Sequence, residues 1–291
     1  MSIGGPQILL PNWLESNRYE FSNSMQYVFN VWNDICRRIK QSKQRLLLCD
    51  YDGTLTPIVD SPEMANLKNE MRELLTGLVR KPGVTVAIVS GRALADIKER
   101  VGISGVIYAG NHGFEIEGPE IRFIHPLAEE ISSIMHLMGT VLKRAMSSVK
   151  GVTVEDKGMT LSVHYRLVDD DQMPQVNAAF ENTVGTARKL GKIRTTSGKK
   201  VHEVRPAIPW HKGNAVKLIF DRVSHSRKKG GVLPMYLGDD LTDEDAFKAV
   251  NELNGISILV GEATQVSAAG YYLNTTSEVN SLLTELLKLF R

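Results

Sequence analysis

Two carboxylates one residue apart, Asp50 and Asp52, close the apolar run of LLLCDYDGTLTPI. Acids that close repel each other unless a cation lies near, so the pair asks for a positive partner. Two other places carry polar groups in the same setting, directly after an apolar run: Ser90 after VAIV, and Asp239, Asp240 and Asp243 after MYLG. Carboxylates gathered at one point are ligands for a hard divalent cation, and Mg2+ is the usual occupant because it also grips a phosphate oxygen. A carboxylate is a weak nucleophile toward most carbon centres, yet it attacks phosphorus to give an aspartyl phosphate and splits one hard hydrolysis into two easier steps.

On this chemistry Asp50 is the nucleophile. Asp52 serves as general acid to the departing alkoxide and then as general base to the water that cleaves the acyl phosphate. Gly53 permits the tight turn, and Thr54 offers its amide and hydroxyl to phosphate oxygens. Ser90 donates a further hydrogen bond to the phosphoryl group, and Lys212 neutralises its charge. The metal set is Asp50, Asp52, Asp239 and Asp243, with Asp243 either a ligand or a group that orients the ion's water shell. Each feature has an ordinary structural reading as well. Asp-Gly after a strand is a turn, Ser90 can cap a helix, Lys212 can sit on an exposed helix face, and GDDLTDED can be an acid-rich helix start. Their joint occurrence in this order is what points to phosphoryl transfer.

The elements that would hold these groups form an α/β core. From Arg45 short apolar runs alternate with helical patterns: RLLLCD, a helix over about 66–80, VTVAIVS, a helix after Gly91, then GVIYAG. Uninterrupted apolar strands separated by helices describe a parallel sheet covered on both faces. After about residue 127 the order becomes helix, strand, strand, twice over. VTVEDKG and MTLSVHYR are joined at Lys157 and Gly158, and KIRTTS and KKVHEVRP are joined at Gly198. Such hairpins predict a separate α+β layer. The α/β rhythm returns after Pro206, so the expected division is an N-terminal helical extension over 1–40, a core over 41–127 and 207–291, and an inserted domain over 128–206. Ligands bind beyond the carboxyl ends of the strands in such sheets, where the insertion would act as a lid. In the extension, Met25, Val28, Phe29, Trp32, Ile35 and Cys36 recur at helical spacing as a packing stripe.

Composition excludes several other classes. The chain has 291 residues and 42% hydrophobic content, enough for a packed core, and 35 basic against 33 acidic residues leave a formal charge of +2. That gives no basic field for nucleic acid or an anionic membrane. The SRKKGG run at 226–231 reads as a solvated helix end leading into a glycine turn. Two cysteines make no disulfide framework, no stretch reaches membrane-spanning length, and no export signal is recognisable, all of which fits a cytoplasmic protein.

The segments DYDGT, SGR, HKG and GDDLTDEDAF, in that order, resemble the four motifs of the haloacid dehalogenase superfamily. Around them, LLLCDYDGTLTPIVDSPEMA, VAIVSGRALADI, YAGNHGFEIEG, VEDKGMTLSVHYR and KKVHEVRP are similar to trehalose-6-phosphate phosphatases, from about Arg45 to the C-terminus. The resemblance implies a Rossmann-like core under a mobile αββαββ cap and Mg2+-dependent hydrolysis of trehalose 6-phosphate, a sugar phosphate, to trehalose and phosphate. It also implies that Glu155, Lys157, Glu203 and Arg205 on the cap grip the sugar hydroxyls. Arg92 and the GNHG turn, with Asn111 and His112, are further substrate-binding candidates. Any trehalose-phosphate synthase partner would be a separate chain. Rival readings are the same chemistry on sucrose phosphate or a glycosyl phosphoglycerate, a phosphomutase, and a non-catalytic sensor of sugar phosphates. The sensor is disfavoured because nucleophile, acid and metal ligands are all present.

Overall fold

The computed structural model describes residues 25–59, 61–198, 200–226, 231–264 and 266–290. The irregular start of the chain and most of the SRKKGG run lie outside the described residues. The first described residues depart from the expected single helix. Strand β1 (Gln26–Tyr27) comes first, then a 3-10 turn (Val28–Val31), and only then helix α1 (Trp32–Gln41). The packing stripe is divided between the 3-10 turn, with Val28 and Phe29, and α1, with Trp32, Ile35 and Cys36, because Gln26 and Tyr27 pair with a strand near the C-terminus. Val28, Ile35 and Ile39 are fully buried, so this segment docks on the main sheet.

The chain continues with β2 (Gln44–Cys49), α2 (Asn69–Val79), β3 (Val84–Val89), α3 (Leu94–Val101) and β4 (Ile107–Gly110). A hairpin follows that the sequence did not announce, β5 (Glu115–Gly118) and β6 (Ile121–Ile124). Its strands are too short for a legible alternation, and its turn is set by Glu120 at positive φ. Then come α4 (Ala128–Ala145), β7 (Thr153–Asp156), β8 (Leu161–His164), α5 (Met173–Lys189), β9 (Ile193–Gly198) and β10 (Val201–Pro206). The last stretch is α6 (Lys212–Ser226), β11 (Val232–Gly238), α7 (Glu244–Glu252), β12 (Ile256–Val260), β13 (Tyr271–Leu273) and α8 (Thr276–Leu289).

These strands make two sheets. Nine lie in the order β1-β13-β12-β11-β2-β3-β4-β5-β6, parallel from β1 to β4 and antiparallel in the hairpin. Side chains alternate across it. Leu47 and Cys49 enter one layer with α2, α3 and α8, and Leu46 and Leu48 enter the other with α6 and α7. Both faces are buried, which is why the strands read as continuous apolar runs. The expected α/β core with a parallel sheet is therefore present.

The second sheet has four antiparallel strands, β7-β8-β10-β9, packed on α4 and α5 over Val154, Leu161, Val163, Ile193 and Val204. Its other face is polar by register. Glu155, Ser162, Glu203 and Thr196 lie side by side across the four strands.

Candidate active site

Three adjacent strands bring the chemistry together. Asp50 follows β2, Ser90 follows β3 and Asp239 follows β11, and these strands neighbour one another in the sheet. The Asp50 amide continues the ladder onto Leu237 O at 2.8 Å, which fixes the carboxylate at the sheet edge. Asp50 is buried, and its Oδ1 accepts from Lys212 Nζ at 2.8 Å. The same ammonium donates to Asp243 Oδ1 at 2.7 Å. Lys212, the first residue of α6, is therefore no exposed helix residue; it is the buried cation between two acids.

Asp243 accepts four hydrogen bonds in all. Its Oδ1 also accepts from Tyr236 OH at 2.6 Å, and its Oδ2 accepts from the amides of Asp239 and Asp240 at 3.0 and 3.1 Å. One oxygen of each of Asp50, Asp239 and Asp243 lies within 4.8 Å of the others. Two glycines make the room. A Cβ on Gly53 would sit 2.0 Å from Asp239 Oδ2, and one on Gly238 would sit 2.3 Å from Asp243 Cγ. The donor set is all hard oxygen, which suits Mg2+ or a similar cation.

The electrostatics point the same way. Burial pushes the Asp50 carboxyl well above its usual range; Lys212 opposes this, and Asp243, Asp239 and Asp240 add to it. Burial likewise raises Asp243 against the pull of Lys212. For Lys212, burial alone would lower the ammonium, but Asp243 and Asp50 outweigh it and hold it raised. One buried ammonium thus faces an excess of acids, and a divalent cation would relieve that excess.

Asp52 stands apart from this cluster. The metal set expected from the sequence included its carboxylate, but the structure places both Asp52 oxygens on Arg92, with Nε to Oδ2 and Nη2 to Oδ1 each at 2.7 Å. Asp52 lies past the end of β2, in the turn that Gly53 closes at positive φ, so strand alternation no longer directs its side chain and the Arg92 clasp does. Thr54 is fully buried, its hydroxyl has no hydrogen-bond partner among the described residues, and it does not line the pocket. Asn111 is equally buried; its Nδ2 donates to Glu115 Oε2 at 3.0 Å, away from the pocket.

The SGR and GNHG turns are joined as an extension of the β3–β4 pairing. Ser90 N donates to Ala109 O, His112 N to Ser90 O, and Asn111 N to Arg92 O at 2.7–2.9 Å. Asn111 and His112 adopt positive φ there. The His112 ring rests against Gly91, where a Cβ would lie 2.7 Å from Cε1. Burial holds His112 well below the usual imidazole range, and the charges of Arg205, Lys212 and Lys157 lower it further.

A cavity of about 710 Å³ joins the two sheets, lined by Asp50, Asp52, Ser90 and Lys212 below and by Glu155, Lys157, Glu203 and Arg205 above. That size lies within the range of about 300–1,000 Å³ usual for small-molecule sites. Glu155 accepts from His164 Nε2 at 2.9 Å. Burial would raise Glu155, but His164, Lys157 and Arg92 outweigh it and hold the carboxyl down at about 2. Glu203 is ion-paired with Arg205 and is also held below its usual range; burial opposes this, and Arg205 and Lys157 overcome it. His164, Tyr236 and Asp96 were not singled out from the sequence; His164 and Tyr236 take partners from other elements, while Asp96 bonds Arg92 and Arg100 four residues to either side. Only the Tyr before GDD and the His within SVHYR carried any signal.

A family model for trehalose-phosphatase matches residues 48–277. This chain belongs to the trehalose-phosphatase family. Among its relatives, the probable trehalose-phosphate phosphatase D of Arabidopsis thaliana is 36% identical over 258 residues, covering 85% of this chain and 68% of that protein. The trehalose-phosphate phosphatase of Mycobacterium leprae is 36% identical over 256 residues, covering 85% of this chain and 58% of that protein. The C-terminal domain of the Candida albicans trehalose-6-phosphate phosphatase is 26% identical in sequence. It superposes with a TM-score of 0.77, covering 91% of this chain and 99% of that one. Haloacid dehalogenase-like hydrolases of lower identity share the fold alone, such as one from Bacteroides thetaiotaomicron at 16% and a TM-score of 0.58. The trehalose-phosphatase core and its second sheet are thus the haloacid dehalogenase arrangement with an antiparallel cap.

Proposed function

We propose that the chain is a phosphoric monoester hydrolase that converts trehalose 6-phosphate to trehalose and phosphate. The observation that carries this reading is the single cavity in which Asp50, clamped by Lys212, faces the polar row of the second sheet. A phosphate ester of a disaccharide has a charged end and a hydroxyl-rich end, and the cavity offers a matching site to each. Ionised Glu155 and Glu203 accept sugar hydroxyls, and Lys157 and Arg205 donate to them.

Asp50 attacks phosphorus in line with the sugar oxygen, the P–O bond to the sugar breaks, and Asp52 passes its proton to the departing alkoxide. Asp52 then takes a proton from water, the water oxygen bonds to phosphorus, and the acyl phosphate bond to Asp50 breaks. Ser90 and Lys212 stabilise the transferring group through charge and hydrogen bonding. Asp50 and Asp239 would hold Mg2+, which when bound supplies Lewis-acid stabilisation of the phosphoryl oxygens. Asp243, whose oxygens already accept four donors, orients Lys212 and the turn carrying Asp239. Thr54 contributes through its turn, and Asn111 through holding the His112 loop.

Residues 128–206 act as the cap over a core of 41–127 and 207–291, with 1–40 as an N-terminal extension. Closure of the cap excludes water from the reaction. Among the described residues no helix is long and apolar enough to cross a membrane, and Cys36 and Cys49 are unpaired. Free cysteines suit a reducing compartment, and the cytoplasm is the location this reading takes. The test is phosphate release from a panel of trehalose 6-phosphate, sucrose 6-phosphate, glucose 6-phosphate and glucosyl phosphoglycerate. Trehalose 6-phosphate should give the highest kcat/KM, and a better rival would remove the substrate assignment.

A further inference from the structure

Arg92 lines the cavity beneath the cap, where a guanidinium would ordinarily be read as a contact for substrate phosphate or sugar. Its hydrogen bonds say otherwise. Nε and Nη2 hold both oxygens of Asp52, Nη1 donates to Asp96 Oδ2 at 2.9 Å, and Nη2 donates again to Pro62 O at 2.9 Å. A guanidinium has five N–H groups, so only one is left for a ligand. Its plane lies over the Tyr51 ring, 5.4 Å from the centroid, and the Tyr51 hydroxyl is fixed on Ala65 O at 2.9 Å.

The second layer is equally built. Asp96, four residues on and at the start of α3, also accepts from Arg100 Nε at 2.8 Å, and Arg100 in turn donates to Ala65 O at 3.1 Å. The backbone of Arg92 is fixed at both ends, its amide on Ser90 Oγ and its carbonyl under Asn111 N. The alternating chain Asp52–Arg92–Asp96–Arg100 therefore ties the carboxyl to α3 and to the loop at 62–65.

We infer that Arg92 is the positioning residue of the proton-transfer acid Asp52, holding its carboxyl in one plane and rotamer, and not a contact for the substrate. This rests on the proposed function. The clasp occupies one lone pair of each Asp52 oxygen, and a carboxylate has about four such sites. A proton can therefore sit on Asp52 with the clasp closed. As the sugar P–O bond breaks, that proton moves to the leaving oxygen; in the second step a water proton returns to the same carboxyl as the water oxygen bonds to phosphorus. Geometry of this kind matters because misplacement by about 1 Å can cost on the order of 100-fold in rate.

The experiment measures kcat on trehalose 6-phosphate for the native chain, Arg92→Met, Arg92→Lys and Asp96→Asn. In parallel, the Kd for trehalose 6-phosphate is measured by calorimetry in an Asp50→Asn background with and without each change. Arg92→Met should lower kcat by about 100-fold, the usual share of positioned proton transfer, while Kd moves by less than a tenth of that factor. Arg92→Lys and Asp96→Asn should give smaller losses with the same split. A Kd that weakens in step with kcat would make Arg92 a substrate contact and overturn the inference, as would native rates in Arg92→Met. Should Arg92→Met not fold, the other two variants decide by the same split. Native phosphate release separates the two failures: without it the proposed function fails, and with it a proportional loss of Kd removes this inference alone.

Discussion

Lys212 shows most directly how one side chain organises the site. It is 2% exposed and is the ammonium shared by Asp50 and Asp243. Removing one partner of a buried ion pair costs about 3–5 kcal/mol, because the remaining charge keeps its desolvation penalty. Lys212→Met should therefore lower both activity and melting temperature, and added Mg2+ should restore part of the stability; thermal melts with and without the metal check this. His112 gives a second, pH-dependent prediction. Its folded pKa lies below the ordinary 6.5, so below that pH the unfolded chain binds a proton that the folded chain refuses. Stability is fully present above pH 6.5 and declines as pH falls. Asn tolerates the positive φ at this position. His112→Asn should accordingly show a flatter melting temperature between about pH 7 and 5 than the native chain.

At the scale of elements, the turn after β2 decides whether the acids converge. Gly53 adopts φ +82°, and any Cβ there would collide with the Asp239 carboxylate. Gly53→Ala should reduce kcat by about 100-fold or more through displacement of Asp239, with weaker Mg2+ binding by calorimetry. This level was largely legible in the sequence, because parallel strands buried on both faces read as unbroken apolar runs and the functional acids follow them directly. The helix–strand–strand repeat was legible for the same reason of period, and cross-strand register then put Glu155 and Glu203 in one row with Ser162 between them. What escaped depended on pairing between distant segments. The β5–β6 hairpin has no extended alternation, β1 exists only through its bonds to β13, and the capture of Asp52 by Arg92 joins residues 40 positions apart. Tyr236 and His164 likewise take their meaning from Asp243 and Glu155, which neighbouring residues do not reveal.

For the whole molecule, the proposed function divides the work between the two sheets: phosphoryl transfer falls to the large one and recognition of the sugar to the small one. Glu155→Gln and Glu203→Gln should therefore raise KM for trehalose 6-phosphate by about 10-fold or more each, the cost of an unpaired polar group, and lower kcat less. Steady-state kinetics at fixed Mg2+ would check that split. The central claim is that Asp50 attacks phosphorus in a metal-dependent hydrolysis of trehalose 6-phosphate. Phosphate release from that substrate, with Mg2+ or with EDTA, in the native chain and in Asp50→Asn, tests it most directly. The account predicts release that requires the metal and vanishes in the variant. Release that persists in Asp50→Asn, or proceeds equally in EDTA, would contradict it.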